Sequence, residues 1–343
     1  MSGAPTRDPI TVTRWILREQ QKHKQAKGDL SIILNSVTLA CKMISNAAKA
    51  AGIYQLYGLS GDSNTSGDQV KKLDVFSNDC MINCLSWTGS VALMGSEEME
   101  NPIIVKNPDK KKYVVLFDPL DGSSNIDANV SVGTIFGIYR VKDPENVSKT
   151  DLLQKGKDMV CAGYAMYGDA TVLVITFGDS VQGFTLDPTI GEFLLTHKDI
   201  KIKNKGKIYS VNEGNSLYWD DVIKTYVNEC KNPKRGKPKK ARYIGSMVAD
   251  VHRTLLYGGI FLYPGTKTNP SGKLRLTYEG NPMAFIIETA GGKATNGKDR
   301  ILDLEPSSLH CRTPIILGSK DDVDKVTKLY KEMDGDNEAK NDE

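Results

Sequence analysis

The 343-residue chain lacks an excess of charge of either sign. Its 45 Lys and Arg against 42 Asp and Glu leave a formal net charge of +3, too little at this size to hold a nucleic acid or an anionic membrane through bulk electrostatics. Histidine is scarce: His23, His197, His252 and His310 form no catalytic arrangement, and structural roles are expected of them. The six cysteines (Cys41, Cys80, Cys84, Cys161, Cys230, Cys311) lack metal-ligand spacing, so buried reduced thiols are expected. Residues 1–9 are polar with no basic start and apolar run, which is not a secretory signal. Asn341-Asp342-Glu343 is not a peroxisomal address. A cytoplasmic location follows as an expectation, with no nucleic-acid or membrane partner. Internal repeats and low-complexity tracts are absent as well.

What is present is an ordinary globular composition, 39% hydrophobic and 25% charged, over a length that suggests about two domains. From Asp29, Leu30, Ile33, Leu34, Val37, Cys41, Ile44, Ala48 and Ala51 recur at helical spacing, with Gly52 as a stop. Residues 58–67 are rich in Gly, Ser, Asn and Asp and read as a mobile loop. A second helix follows through Leu73, Phe76, Cys80 and Leu85. Strands are expected at 91–94, 113–117, 132–139, 159–167, 171–177, 181–186, 192–196, 260–263 and 314–317. Helices are expected near 222–230, 247–257, 282–290 and 321–333. The run 231–242, with Pro233, Gly236 and Pro238, reads as a linker-like loop. Its lysines can raise the local concentration of an anionic substrate or bind nucleic acid, but without interleaved aromatics a solvated loop is the simpler reading.

Carboxylates stand directly after predicted strands or at a helix start: Glu97-Glu98, Asp118 with Asp121, and Glu279 before Asn281-Pro282. Such ends are where α/β sites gather. Two bare carboxylates about 4 Å apart repel by roughly 4 kcal/mol at an effective dielectric of about 20, so converged acids need a cation or a proton. Hard oxygen ligands select Mg²⁺ or Mn²⁺. In Asp118-Pro119-Leu120-Asp121-Gly122-Ser123-Ser124-Asn125, two acids share one turn with amides and hydroxyls able to cup an anion. Metal ions so placed suit phosphate-monoester hydrolysis, among the slowest uncatalysed reactions.

This segment resembles the metal-binding signature of the inositol-monophosphatase superfamily, and its flanks resemble the class I fructose-1,6-bisphosphatase branch. The likeness extends from about Ile10 to Lys331. It includes Gly67-Asp68-Gln69-Val70-Lys71-Lys72-Leu73-Asp74, Ser96-Glu97-Glu98 and Lys273-Leu274-Arg275-Leu276-Thr277-Tyr278-Glu279. Trp219-Asp220 is similar to a metal-ligand pair of the wider superfamily, but no Ala-Ala-Gly follows, and Glu279 takes that role in this branch.

The resemblance implies an α/β fold of alternating helix and sheet layers (αβαβα) with mixed sheets. It implies an N-terminal domain over 1–200 carrying the allosteric and metal sites, a sugar-phosphate domain over 201–335, and a tail over 336–343. Glu97, Glu98, Asp118, Asp121, Glu279 and the Leu120 carbonyl would ligate two or more Mg²⁺ ions, with Mn²⁺ as a possible substitute. Asp74 and Glu98 would orient and deprotonate the attacking water, and Asp68 would help position metals or leaving oxygen. For Asp68 and Asp74, helix-start capping is the competing reading. Asp121, Gly122, Ser123, Ser124, Asn212, Tyr243, Tyr263, Lys273 and Arg275 would hold the sugar phosphate, with Arg242 reaching in from a neighbouring subunit of a homotetramer. Asn215 departs from the tyrosine that many members carry there.

The implied reaction is hydrolysis of the 1-phosphate of fructose 1,6-bisphosphate by metal-activated water, in gluconeogenesis. AMP would inhibit from a site at Lys27, Gly28, Asp29, Leu30, Ser31, Lys112, Tyr113 and Arg140. Ordinary capping by Asp29 and Ser31, and an exposed turn at Lys112-Tyr113, are the alternative there. The competing functions are hydrolysis of sedoheptulose 1,7-bisphosphate by the same acids, and a sugar-phosphate sensor without turnover.

Overall fold

The computed structural model describes residues 8–53, 56, 58–63, 69–106 and 110–341. The helices are α1 (Val12–Gln21), α2 (Asp29–Lys49), α3 (Lys72–Ser86), α4 (Asp221–Lys231), α5 (Met247–Tyr257), α6 (Asn281–Thr289) and α7 (Lys320–Asn341). Strands β1 (Leu59–Ser63) and β2 (Gln69–Lys71) form a small antiparallel pair. Strands β3 (Val91–Ser96), β4 (Ile103–Ile104), β5 (Tyr113–Asp121), β6 (Val132–Arg140), β7 (Met159–Tyr167), β8 (Thr171–Thr176), β9 (Val181–Asp187) and β10 (Glu192–His197) build one sheet in the order β10-β9-β8-β7-β6-β5-β3-β4. Strands β11 (Ile208–Ser210), β12 (Lys240–Ala241), β13 (Ile260–Tyr263), β14 (Lys293–Thr295) and β15 (Ile315–Gly318) build a second, β12-β11-β13-β15-β14. Both sheets are mixed: β3 and β5 are parallel in the first, and β11 is parallel to β12 and β13 in the second.

The layers follow from the two-residue period of the strands. Along β5, Val115 and Phe117 join a core with Ile33, Val37 and Ile44 of α2 and Leu73 and Met81 of α3. Their neighbours Val114 and Leu116 face the other way, onto a core with Val248, Val251 and Leu255 of α5 and Ile286 and Ile287 of α6. On the second sheet, Phe261 and Leu317 close that middle core. Ile260, Leu262 and Ile316 point outward to Ile223 and Tyr226 of α4 and Val323 and Val326 of α7. Helices, sheet, helices, sheet and helices therefore stack in five layers. Strands covered on both faces must be apolar throughout, and every residue of β3 and β5 is buried.

The structure corrects several local expectations. Within 58–67, Leu59–Ser63 is a strand paired with β2, while 64–67 and Asp68 lie outside the described residues. Helix α1 was not anticipated because its mean polarity masks a short apolar face, on which Trp15 stacks on Phe177 with ring centroids 5.2 Å apart. Helix α2 ends at Lys49, before Gly52. It is long and apolar enough to cross a membrane by length and composition, but its apolar face is buried against α1, α3 and the first sheet. All six cysteines are free, yet Cys84 and Cys311 are only half-buried. The basic run 231–242 is no interdomain linker: it ends in β12, and Lys239 Nζ bonds Asp322 at 2.7 Å and the Gly206 carbonyl at 2.7 Å. The Trp219-Asp220 pair is structural, with Trp219 buried and Asp220 capping α4 through the Ile223 N–H at 2.8 Å.

Candidate active site

Because β3 and β5 are parallel neighbours with Ser96 opposite Phe117, their C-terminal ends open at the same edge. Glu97 and Glu98 follow β3 where its pairing with β5 ends, beside Asp118, and the Glu97 N–H still bonds the Phe117 carbonyl at 3.2 Å. From the opposite side a single π-helical turn, Leu276–Gly280, brings in Glu279 ahead of α6. Asp74 arrives on the first turn of α3. These groups line a cavity of about 500 Å³ together with Leu120, Gly122, Ser123, Ser124, Tyr243, Tyr263, Lys273 and Arg275.

Carboxylate oxygens of Asp118, Asp121 and Glu279 lie within 4.8 Å of one another, and all three residues are buried. At that range each charged pair repels by about 3–4 kcal/mol at an effective dielectric of about 20. Burial, and after it repulsion from Glu97 and other nearby acids, raise Asp118 well above the usual carboxylate range, Asp121 to about 7 and Glu279 to about 8. Asp74 rises to about 7, chiefly through burial. A divalent cation removes both penalties, and an all-oxygen donor set fits Mg²⁺ or Mn²⁺. Arg275 supplies a countercharge, its Nη1 2.8 Å from Glu97 Oε1, and its backbone N–H donates to Glu279 Oε2 at 2.5 Å.

Local bonds aim the acids. Asp118 Oδ1 accepts the Leu120 N–H at 2.9 Å. Asp121 Oδ2 accepts the Val248 N–H at 2.7 Å, at the N-terminus of α5, and the Ser246 hydroxyl at 3.4 Å. Asp74 Oδ2 accepts the Lys71 N–H at 2.7 Å, so capping and a position in the site coexist in one residue. Gly122 has φ +81°, and a Cβ there would stand 2.5 Å from Ser246 Oγ, so the tight turn after Asp121 needs glycine. Burial, followed by Tyr263 and nearby carboxylates, pushes the Tyr243 phenol to about 12, which keeps it a donor.

One expected contact is not brought into this cavity: Asn212 caps the short helix Glu213–Tyr218, accepting the Gly214 N–H at 3.1 Å. Arg242, expected to act in a neighbouring subunit, is exposed, its Nη1 on the Ala241 carbonyl at 2.7 Å. Lys71, Gly245 and Asp250 line the cavity without having been singled out from the sequence. The acidic residue Asp250 within the apolar pattern of α5 was the one available signal.

A second cavity, of about 810 Å³, gathers Lys27, Gly28, Asp29, Leu30, Ser31, Lys112, Tyr113 and Arg140, joined by residues of α1 such as Gln20. Asp29 does not cap α2 through its side chain; it pairs with Lys110 at 2.9 Å and with Lys112. Against the opposing effect of burial, these lysines hold its carboxyl down at about 2. Ser31 likewise turns away from capping to donate to Gln20 Oε1 at 2.6 Å. The Arg140 guanidinium lies 5.3 Å over the Tyr113 ring.

The layered fold and the acid-lined cavity at the strand ends define a hydrolase of the sugar-phosphatase class. Within it, the chain belongs to the fructose-1,6-bisphosphatase family. The model of its N-terminal domain matches residues 10–198 and that of its C-terminal domain residues 202–331. Similar relatives include the cytosolic fructose-1,6-bisphosphatases of Oryza sativa subsp. indica, 54% identical over 94% of this chain and 96% of the relative, and of Solanum tuberosum, 55% identical over 94% and 95%. Among solved structures, the holo form of Leishmania major fructose-1,6-bisphosphatase superposes with a TM-score of 0.90, at 45% identity over 94% of this chain and 99% of that one.

Carboxyls raised in the folded state bind protons there that the unfolded chain has released. Stability of the metal-free protein therefore falls as pH rises through the window from about 4 to about 8. Mg²⁺ is expected to raise the thermal midpoint more at about pH 8 than at about pH 5.5. Equal shifts at both values would show that these acids do not bind the ion. Gly122→Ala is expected to lower stability by about 1–3 kcal/mol, checked by denaturant unfolding.

Proposed function

We propose that the protein hydrolyses the 1-phosphate of fructose 1,6-bisphosphate, releasing fructose 6-phosphate and phosphate, as a cytosolic enzyme of gluconeogenesis. The observation that carries this is the convergence of buried carboxylates beside the Gly122-Ser123-Ser124 turn. Glu97, Glu98, Asp118, Asp121, Glu279 and the Leu120 carbonyl would hold two or more Mg²⁺ ions, which when bound neutralise phosphoryl charge and acidify water. Arg275, which pairs with Glu97, and Lys273 would face the substrate's phosphate groups, and Tyr243 and Tyr263 would donate to it. Asp74, with its carboxyl near neutrality, is suited to exchange a proton with the attacking water alongside Glu98. Asp121, Gly122, Ser123 and Ser124 would cradle the reacting phosphate. Asp68 retains its proposed positioning role outside the described residues.

In this reading the distal phosphate is held by Asn212 and by Arg242 of a neighbouring subunit in a homotetramer; the exposure of Arg242 is compatible with reaching out of its own chain. The functional halves are 1–200 and 201–335, with 336–343 as a tail. Each sheet is built wholly within one half, which supports the division. Phosphate release is expected to require Mg²⁺ and to favour the fructose ester over sedoheptulose 1,7-bisphosphate and inositol monophosphate. Asp121→Ala and Glu98→Gln are each expected to lower kcat by about a thousandfold or more in folded protein. Metal binding without release from any of the three esters would favour a sensor instead.

The second cavity carries a further reading, inhibition by AMP. Its phosphate would displace the Asp29 carboxylate from Lys110 and Lys112 at the amide end of α2, with the base near Tyr113 and Arg140. Helix α2 packs on α3, which bears Asp74, so a shift of α2 has a direct route to the site. Lys112→Ala combined with Arg140→Ala is expected to raise the AMP concentration for half-inhibition by about tenfold or more. Unchanged inhibition would sink the placement.

A further inference from the structure

Asp250, one turn into α5, is completely buried, and no role in the proposed reaction uses it. Its carboxylate gathers donors from three directions. Ile244 N–H lies 3.0 Å from Oδ2 and Gly245 N–H also 3.0 Å from Oδ2, while Oδ1 accepts the Ser210 hydroxyl at 2.8 Å and Arg253 Nη2 at 2.6 Å. Arg253 Nη2 also donates to the Arg242 carbonyl at 3.0 Å. The segment 242–245 is therefore held at three successive points by two side chains of one helix. Gly245, at φ +88°, supplies the turn that presents adjacent N–H groups to one carboxylate. Asn125 Nδ2 completes the attachment by donating to the Gly245 carbonyl at 3.0 Å, tying the segment to the turn that follows Asp121.

The same helix reaches the reacting end by a separate route, since the Val248 N–H at its start holds Asp121. We propose that the Asp250–Arg253 pair acts as a positioning device that sets Tyr243 for the remote phosphate in its own cavity and Arg242 for that of a neighbouring subunit, while the N-terminus of α5 independently aims Asp121 at the reacting one. The inference rests on the proposed bisphosphatase reading. Its physical basis is the cost of misplacing a charged donor: a carboxylate that accepts several N–H bonds fixes a loop that has little apolar anchoring of its own. Tyr243 and Ile244 are both partly exposed.

The test compares kcat/KM for fructose 1,6-bisphosphate and fructose 1-phosphate in the wild type, Asp250→Asn and Arg253→Met. In Asp250→Asn the amide NH₂ must face at least one backbone donor, so the segment loosens. The ratio of the two kcat/KM values is expected to fall by about tenfold, chiefly through KM for the bisphosphate. Arg253→Met is expected to act in the same direction, and it carries the test where Asp250→Asn does not fold. A ratio kept within about twofold of wild type in the folded variants, whether both activities drop together or neither does, overturns the inference. A wild type that shows no preference for the bisphosphate overturns the functional reading instead.

Discussion

The constraint on which the site depends is the repulsion among carboxylates brought together in a space with little water. Three of them have oxygens within 4.8 Å of one another, and Asp74, Glu97, Glu98 and Asp250 line the same cavity. Nothing about that arrangement favours folding. It is tolerated because Arg275 sits against Glu97 and because backbone N–H groups meet Asp118, Asp121, Asp74 and Glu279. A divalent cation held by these acids would offset the same repulsion.

The five layers make this concentration of charge mechanically possible. Each acid sits at the end of an element whose other residues are locked in apolar cores: Asp118 after Phe117, Asp74 after Leu73, Glu279 before the buried turn into α6. Helix α5 has a wider role because it lies between the two sheets. Its start orients a carboxylate of the first sheet, and its first turn holds a segment leading from the second. Reacting and remote ends of a two-phosphate substrate can thus be registered against one rigid body.

The second cavity uses the opposite electrostatics. There one buried acid, Asp29, is held ionised by two lysines at a helix start that lacks a side-chain cap. A carboxylate already paired with cations near free amides is a ready exchange partner for a phosphate. The proposed AMP site and the catalytic cavity share β5: Tyr113 at its start lines the first, and Asp118 and Asp121 near its end line the second.

The local chemistry of the catalytic site was legible in the sequence. Asp118 to Asn125 combines acid pair and glycine turn within one run, and the unbroken apolar runs at Tyr113–Phe117 and Ile260–Tyr263 mark strands. The short, polar or edge elements were not legible. Helix α1 has a narrow apolar face, β1 is composed of residues that also make turns, and β12 is two residues long, so their structure comes from neighbours rather than propensity. Nor could spacing along the chain reveal that Arg275 pairs with Glu97 or that Asp250 holds the segment 242–245, since both contacts join elements from separate layers. The sequence by itself determined which residues carry charge at the ends of apolar strands, because burial pattern and turn chemistry are local. Only the tertiary structure decided which of those charges meet, and hence which carboxyls keep their protons, because distance and desolvation are properties of the packed chain.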